Sequence, residues 1–270
     1  WEDEDGFFIW GTTLTIPNYC FVLDVSEPGL LVIKHRRMYG FGKFTNVAIL
    51  KGDEIKLVNE DAAAYKDSPA ILNSLLGYDS PKLRNDNVNV LIQLAVSMPA
   101  HGQGGAILVV PDQHEDWPTS VVQPINYEVE PLFSSLAHLI KTDGEGISES
   151  LWLSSLRREV DNIAGLSAID GATVISQDFP LLSFGAKITR RENRPQVSKL
   201  LFSEPVKGRS EKLVYPGQLG GTRHLSAAQF VFDQPECLAL VASQDGHFTV
   251  FSWSEQLQVV QAYRIDILLI

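Results

Sequence analysis

The sequence predicts an α/β protein of two regions: a smaller α/β region over residues 1–146, and a region over residues 147–270 in which a β-sheet is flanked by helices. Two segments each join a helical pattern to a Gly-Ala turn and an apolar strand, and a Gly-Gly pair leads into a further helix. The chain is 270 residues long, 44% hydrophobic and 20% charged, which is ordinary for a globular protein with a large core.

Turn residues divide the first 60 residues into short apolar segments. Glu27-Pro28-Gly29 separates two of these segments, and Lys51-Gly52-Asp53-Glu54 separates the next two. This spacing predicts strands joined by tight turns, with a hairpin around Gly52. The stretch over residues 60–80 is polar and helix-like, so the first region is predicted to contain helix as well as strand.

The first helix–turn–strand unit begins at Val88. A dense apolar pattern from Val88 to Met98 predicts a buried helix, which Pro99 ends. Gly104-Gly105-Ala106 then leads into the apolar strand Ile107–Val110. Residues 112–146 are rich in proline, aspartate and polar side chains, so we place the boundary between the two regions at the end of this stretch.

The second unit repeats this order. Ser148 is a helix start, and apolar residues recur at helical spacing from Leu153 to Ile163. Asp170-Gly171-Ala172 leads into the next apolar strand, and Leu181–Ile188 is predicted to be its partner strand. The repetition fits either an old duplication or the general similarity of α/β units, and it sets Asp170 where the first copy has Gly104.

Positive charge is concentrated between Ala186 and Arg223, which carry nine basic residues against three acidic ones in a protein of net charge −11. This segment, with Pro195, Pro205 and Gly208, is predicted to be a long loop. It is either a funnel for a small anion or a solvated loop. The acidic balance elsewhere argues against a nucleic-acid partner, because such binding needs cations over a wide surface.

Gly220-Gly221-Thr222-Arg223-His224 predicts an anion site at a helix N-terminus. Arginine matches phosphate oxygens with a planar fork, and the adjacent histidine can donate, accept or titrate. The alternative is an ordinary N-cap at Thr222 with two solvated side chains. Together with Asp170, whose carboxylate can hold Mg²⁺ or Mn²⁺ against phosphate, the motif indicates a nucleotide site.

The remaining features concern location and redox state. Cys20 and Cys237 lie far apart and in no metal-ligand spacing, so we expect two reduced thiols. No run of 18 apolar residues occurs, and the first residues are acidic, so we expect a cytoplasmic protein without a membrane segment.

Three motifs together resemble the diadenylate cyclase (DAC) domain of the DNA-integrity scanning protein and its membrane-bound relatives. They are Asp170-Gly171-Ala172, the GGTRHLSAA segment that begins at Gly220, and the LVASQDG segment that ends at Gly246. Their order and spacing are those of the family, and the resemblance covers about residues 148–255. A weaker likeness relates residues 40–44 and 100–105 to sensor regions that precede some of these domains.

The resemblance implies a mixed central sheet flanked by helices, and two protomers that meet face to face, each with one ATP. The product would be cyclic di-AMP with two pyrophosphates, and Mg²⁺ or Mn²⁺, or else Co²⁺, would be the cofactor. Asp170, Arg223 and His224 would be catalytic, with Asp170 and Asp245 on the metal. The implied nucleotide-binding residues are Gly171, Ala172, Gly185, Gly221, Thr222, Arg223, His224 and Ser243.

Two departures from the family pattern keep a second interpretation open. The family's Arg-His-Arg reads Arg223-His224-Leu225 here, and its Ser-Glu-Glu reads Ser243-Gln244-Asp245. One charge-assisted hydrogen bond fewer costs about 1.5–3 kcal/mol, although Lys187, Arg190 or Arg209 could compensate. The alternative is a nucleotide or cyclic-dinucleotide sensor module with the same fold.

Overall fold

The computed structural model describes residues 2–3, 6–7, 11–13, 16–17, 20–36, 44–59, 87–122, 127–142, 146, 148–244 and 246–265. The chain forms two compact units, Trp1–Leu57 and Val58–Ile270. The sequence analysis put the boundary between residues 146 and 147, but the division falls after Leu57. The physical reason is strand pairing, because the strand that begins at Gly105 is central in the same sheet as the later strands.

All regular secondary structure in the described part of the first unit is β-strand. Phe21–Glu27, Leu30–Arg36, Phe44–Lys51 and Glu54–Leu57 form an antiparallel sheet in chain order. The predicted turns are confirmed, with Gly29 and Gly52 in left-handed conformations at φ +81° and +57°. The predicted helix over residues 60–80, and residues 40–43 of the sensor-like motif, lie outside the described residues. The strands of this unit are β1 (Glu2–Asp3), β2 (Gly6–Phe7), β3 (Phe21–Glu27), β4 (Leu30–Arg36), β5 (Phe44–Lys51) and β6 (Glu54–Leu57).

The second unit is a mixed α/β structure around one ten-stranded sheet, as the α/β class predicts. Its elements are α1 (Asn87–Ser97), β7 (Gly105–Val110), β8 (Val121–Val122), β9 (Tyr127–Phe133), α2 (Ser135–Lys141), α3 (Glu149–Leu166), β10 (Ala172–Ser176), β11 (Leu181–Ile188), β12 (Leu200–Ser203), β13 (Lys212–Val214), α4 (Thr222–Asp233), β14 (Leu238–Ala242), β15 (Phe248–Ser254) and β16 (Val259–Arg264). The strand order is β13-β12-β16-β15-β14-β7-β10-β11-β8, and β9 also pairs with β11. The pairs β7–β10 and β12–β16 are parallel, and the other pairs of this sheet are antiparallel.

Alternation along the central strands directs apolar side chains to both faces of this sheet. Ile107 and Val109 of β7 join a core that includes residues of α1 and α3. Leu108 and Val110 join a second core that includes residues of α4. Helices therefore cover both faces, and the central strands are buried.

The helix–turn–strand pattern of the sequence is confirmed. α1 ends before Pro99, and α3 begins after Ser148, whose Oγ accepts a hydrogen bond from the Leu151 N–H at 3.4 Å. β10 pairs with β11, as predicted, and the pairing is antiparallel. The predicted long basic loop is wrong in part, since β12 and β13 lie within it and pair with each other, and β12 extends the sheet beside β16. Within the described residues, no helix is long and apolar enough to cross a bilayer.

Candidate functional site

The first turn of α4 and the strand ends beside β10 enclose a cleft of about 330 Å³. Both the Asp170-Gly171-Ala172 turn and the residues Thr222 and Arg223 line this cleft. The sequence separates these two motifs by about 50 residues, and the sheet brings them together because α4 packs over the centre of the sheet. The lining residues are Ala106, Asp170, Gly171, Ala172, Ala186, Lys187, Ile188, Thr222, Arg223 and Ser226.

Gly171 and Gly185 lie against each other across the β10–β11 pair. Gly171 has φ +111°, and a Cβ there would lie 2.5 Å from the Gly185 carbonyl carbon. Gly185 has φ +65° and is itself covered by Tyr127, whose ring would lie 3.0 Å from a Cβ. Gly185 is buried and does not line the cleft, so its absent side chain serves strand packing rather than the close approach of a nucleotide predicted from sequence.

Asp170 carries the exposed carboxylate of the cleft, with a side chain 85% exposed. Lys187 of β11 lies beside it, with Nζ 3.3 Å from Oδ2. The pair thus sets a cation against the carboxylate that was predicted to hold a metal. In the part of the chain that the structure describes, no three His, Cys, Asp or Glu residues converge, and Asp245 lies outside that part.

The N-terminus of α4 is built to receive an anion. Gly221 is the N-cap residue, no side chain caps the helix, and its first turn contains no acidic residue. The positive end of the helix dipole therefore points toward the cleft without a neutralising group from its own turn. Thr222 and Arg223 line the cleft, whereas Gly221 is exposed and is not among the lining residues.

His224 does not reach this cleft. Its ring is 2% exposed and packs against Gly220, where a Cβ would lie 2.5 Å from Nδ1. The ring meets Phe251 edge to face at 6.0 Å, and Nε2 lies 3.4 Å from the Thr249 Oγ1. Burial lowers the pKa of His224 to about 4, with a further contribution from the charge of Arg264. The predicted catalytic and phosphate-binding role of His224 is therefore replaced by a neutral core histidine.

A signal for this burial was present in the sequence. His224, Ala227, Ala228 and Val231 follow one another at helical spacing and lie on the same face, which is the face that packs into the core. The histidine side chain alone suggested a catalytic role, while the helical periodicity indicated burial. The structure agrees with the periodicity.

Ser243 serves the turn between β14 and β15 rather than the cleft. Its N–H donates to the His247 carbonyl at 2.8 Å, and its Oγ accepts from the His247 N–H at 3.2 Å. Ser243 is not among the residues that line the cleft. Its predicted contact with a nucleotide therefore finds no counterpart in the geometry of this chain.

Several basic residues of the segment Ala186–Arg223 are engaged in ion pairs. Arg191 pairs with Asp116 at 3.0 Å, Arg194 with Asp233 at 3.7 Å, and Arg209 with Glu204. Arg194 thus ties the segment to α4, Arg191 ties it to the β7–β8 connection, and Arg209 pairs within the segment, so each of these three charges already has a carboxylate partner. Arg223 differs, because none of the described carboxylates pairs with it.

Sequence reasoning missed Ala106, the β7 residue that lines the cleft. The repeated Gly-Ala turns were the available signal, since β7 and β10 are parallel neighbours with Ile107 opposite Thr173. A second cleft of about 420 Å³ shares Ile188 and Ser226 with the first and is also lined by Leu225. The apolar Leu225 thus lies beside the candidate site.

None of the protein-family models matches this chain, and none of the curated proteins is similar enough to match. The resemblance to diadenylate cyclase domains therefore depends on the motifs alone, and the case for a function depends on the cleft that two of those motifs line.

Proposed function

We propose that this chain is a diadenylate cyclase, which condenses two ATP molecules into cyclic di-AMP and two pyrophosphates. One observation carries the proposal: Asp170-Gly171-Ala172 and Thr222-Arg223 are distant in sequence but line one cleft. A cleft lined by a carboxylate, a guanidinium and an uncapped helix N-terminus is suited to a nucleoside triphosphate. The cytoplasmic location expected from the sequence is one where ATP is present.

The reaction consists of two equivalent displacements. The ribose 3′-oxygen of one ATP forms a bond to the α-phosphorus of the other, the α–β phosphoanhydride bond breaks, pyrophosphate leaves, and the hydroxyl proton is lost. In this proposal Arg223, Thr222 and the α4 N-terminus hold the phosphates, and Asp170 orients the hydroxyl and favours loss of its proton. Each cleft supplies one ATP, so the proposal requires a face-to-face homodimer.

A divalent ion fits this proposal through Asp170. Mg²⁺ binds through one or two carboxylates, with the remaining ligands drawn from substrate phosphates and water. The exposed Asp170 carboxylate at the cleft suits that role, in which the ion, Mg²⁺, Mn²⁺ or Co²⁺, would neutralise phosphate charge. Binding it requires that Lys187 move from its position 3.3 Å from Asp170 Oδ2.

The test is incubation of the full chain with ATP and each of the three ions, followed by separation and mass analysis of the products. We expect one cyclic di-AMP for every two pyrophosphates, as the proposed reaction requires, and the loss of both products in Asp170→Asn. Asp53→Asn is the matched control, since Asp53 is an exposed carboxylate in the β5–β6 turn of the other unit. Product formation that survives Asp170→Asn contradicts the assigned role of this residue.

A second candidate is a sensor module that binds ATP or cyclic di-AMP without turnover. The Lys187–Asp170 pair favours it, because the cation already occupies the carboxylate that turnover needs, and Leu225 stands where the family has arginine. This candidate predicts a nucleotide-dependent rise in Tm with no product under any of the three ions. A cyclic di-AMP peak excludes it.

A further inference from the structure

We propose that Gly104, in the turn before β7, is a positioning residue for Arg223: the absence of a side chain at Gly104 lets the guanidinium group lie close against the backbone beside the cleft. The inference rests on the proposed function, because it takes the Arg223 guanidinium to bind an anionic phosphate ligand. Gly104 is the first residue of the Gly104-Gly105-Ala106 motif, and the proposed mechanism gives it no role.

The space around Gly104 is occupied on three sides. A Cβ at this position would lie 3.1 Å from the Ala242 carbonyl oxygen, 3.2 Å from the Gln244 backbone nitrogen and 3.3 Å from Arg223 Nη1. Ala242 is the last residue of β14 and pairs with Gly105 of β7, and Gln244 lies in the turn that follows, so both of these atoms belong to the backbone. The guanidinium is the end of a flexible side chain, so we expect it to be the group that shifts when a Cβ is added at position 104.

The turn that contains Gly104 is held in place from both sides. The Gln103 carbonyl accepts a hydrogen bond from Gln244 Nε2 at 3.2 Å, and the Gln103 N–H donates to His101 Nδ1 at 3.1 Å. His101 Nε2 lies 3.1 Å from Ser167 Oγ, just beyond the end of α3. With Nδ1 as acceptor, Nε2 carries the proton and donates to Ser167. The turn is therefore tied to α3 and to the β14–β15 turn, and it provides a fixed surface for Arg223.

The charge of Arg223 remains available to a ligand at this position. None of the described carboxylates pairs with it. Burial and the positive charge of Arg223 lower the pKa of His101, which lies in the same turn as Gly104. A guanidinium held against glycine and backbone, beside the helix N-terminus, loses little conformational entropy when it binds phosphate.

The test compares Gly104→Ala with Gly102→Ala. Both glycines have φ +67° and both lie in the same turn, so alanine is strained equally by the backbone at either position. A Cβ at Gly102 meets nothing within 4 Å, which makes it the matched control. We expect Gly104→Ala to weaken the binding of ATP and of inorganic pyrophosphate by at least tenfold, and Gly102→Ala to change it by less than twofold.

A double-mutant cycle with Arg223→Ala separates positioning from general damage. If Gly104 acts through Arg223, Gly104→Ala has no further effect on binding when Arg223 is already alanine. Equal weakening in both backgrounds overturns the proposal, and so does equal weakening by the Gly102 variant. Circular dichroism of each variant verifies that the compared proteins are folded.

Failure of the proposed function is recognised separately. If the wild-type chain binds neither ATP nor pyrophosphate, the proposed function fails, and the contact between Gly104 and Arg223 is then tested by urea unfolding. We expect Gly104→Ala to destabilise the chain less in the Arg223→Ala background than in the wild type, because Nη1 is no longer there to crowd the Cβ. An equal loss in both backgrounds overturns the inference.

Discussion

The Gly-Ala turns before β7 and β10 share a backbone plan but differ in what they present. The strands are parallel neighbours, and both Ala106 and Ala172 line the cleft. In the first turn the leading residue is Gly104, which admits the Arg223 side chain from α4. In the second it is Asp170, whose carboxylate meets Lys187. The first turn thus lies against a cation and the second carries an anion, and both turns lie beside the cleft.

The second glycine of each turn also differs in its neighbour. A Cβ at Gly105 would lie 2.5 Å from Ser167 Oγ and 2.6 Å from the Ser167 carbonyl oxygen, where the first turn meets the end of α3. A Cβ at Gly171 would lie 2.5 Å from the Gly185 carbonyl carbon, in the adjacent strand. The first turn is packed against a helix end, and the second against the sheet itself.

The largest expected effect tests this packing difference. Gly171→Ala adds strain at φ +111° to a collision with backbone, so we expect it to lower the free energy of unfolding by roughly 3–5 kcal/mol. Gly105→Ala collides with Ser167 but carries no positive φ, so we expect roughly 1–3 kcal/mol. Urea unfolding of both variants measures the difference. A larger loss for Gly105→Ala would contradict the comparison.

The next effect concerns the first turn of α4, where Arg223 lines the cleft and His224 is buried. The pKa of His224 is about 4 in the folded chain and about 6.5 when unfolded, so the unfolded state binds more protons between these values. The uncharged, buried His224 therefore contributes to the free energy of unfolding. This contribution is complete above about pH 6.5 and is lost as the pH falls toward 4, by roughly 3 kcal/mol in all.

Urea unfolding at pH 4.5 and 7.5 measures this loss. His224→Gln removes the titrating group, so the difference in unfolding free energy between the two pH values should shrink in this variant. An unchanged difference would mean that other groups cause the acid sensitivity. It would contradict the burial of an uncharged His224 side chain.

A smaller effect is expected from Arg223 itself. Arg223→Ala removes a charge-assisted hydrogen bond to phosphate, and we expect it to weaken pyrophosphate binding by about 1.5–3 kcal/mol. Arg194→Ala is the control, since Arg194 pairs with Asp233 and contacts Phe232 away from the cleft. Isothermal titration calorimetry measures both. Comparable weakening by the control variant would show that global charge, rather than the position of Arg223, governs binding.

The smallest effect concerns the second turn. The Lys187–Asp170 pair is exposed on both sides, so Lys187→Ala should change the free energy of unfolding by less than about 1 kcal/mol. The variant sharpens the comparison by removing the competitor of a divalent ion at Asp170. We expect tighter Mn²⁺ binding in titrations of Lys187→Ala than of the wild type, and weaker binding would contradict the competition.

Much of the fold could be predicted because its signals are local. The helix that begins after Ser148 and the turns at Gly29 and Gly52 follow from capping, periodicity and the freedom of glycine. The boundary at 146 and 147 could not be predicted reliably, because it depends on which strands pair. The pairing of β7 with β10 and β14 joins segments more than 60 residues apart, and no local pattern reports it.

The candidate site divides in the same way. Local sequence predicts that Asp170 precedes a strand and that Thr222 and Arg223 begin a helix, since glycine conformations and helix starts depend on neighbouring residues, and the helical spacing around His224 already indicates its burial. The tertiary structure alone shows that Asp170, Thr222 and Arg223 share a cleft and that Gly104 lies close to Arg223. Which distant residues lie close together depends on how the sheet packs against α4. The side-chain chemistry of residues along the chain does not predict that packing.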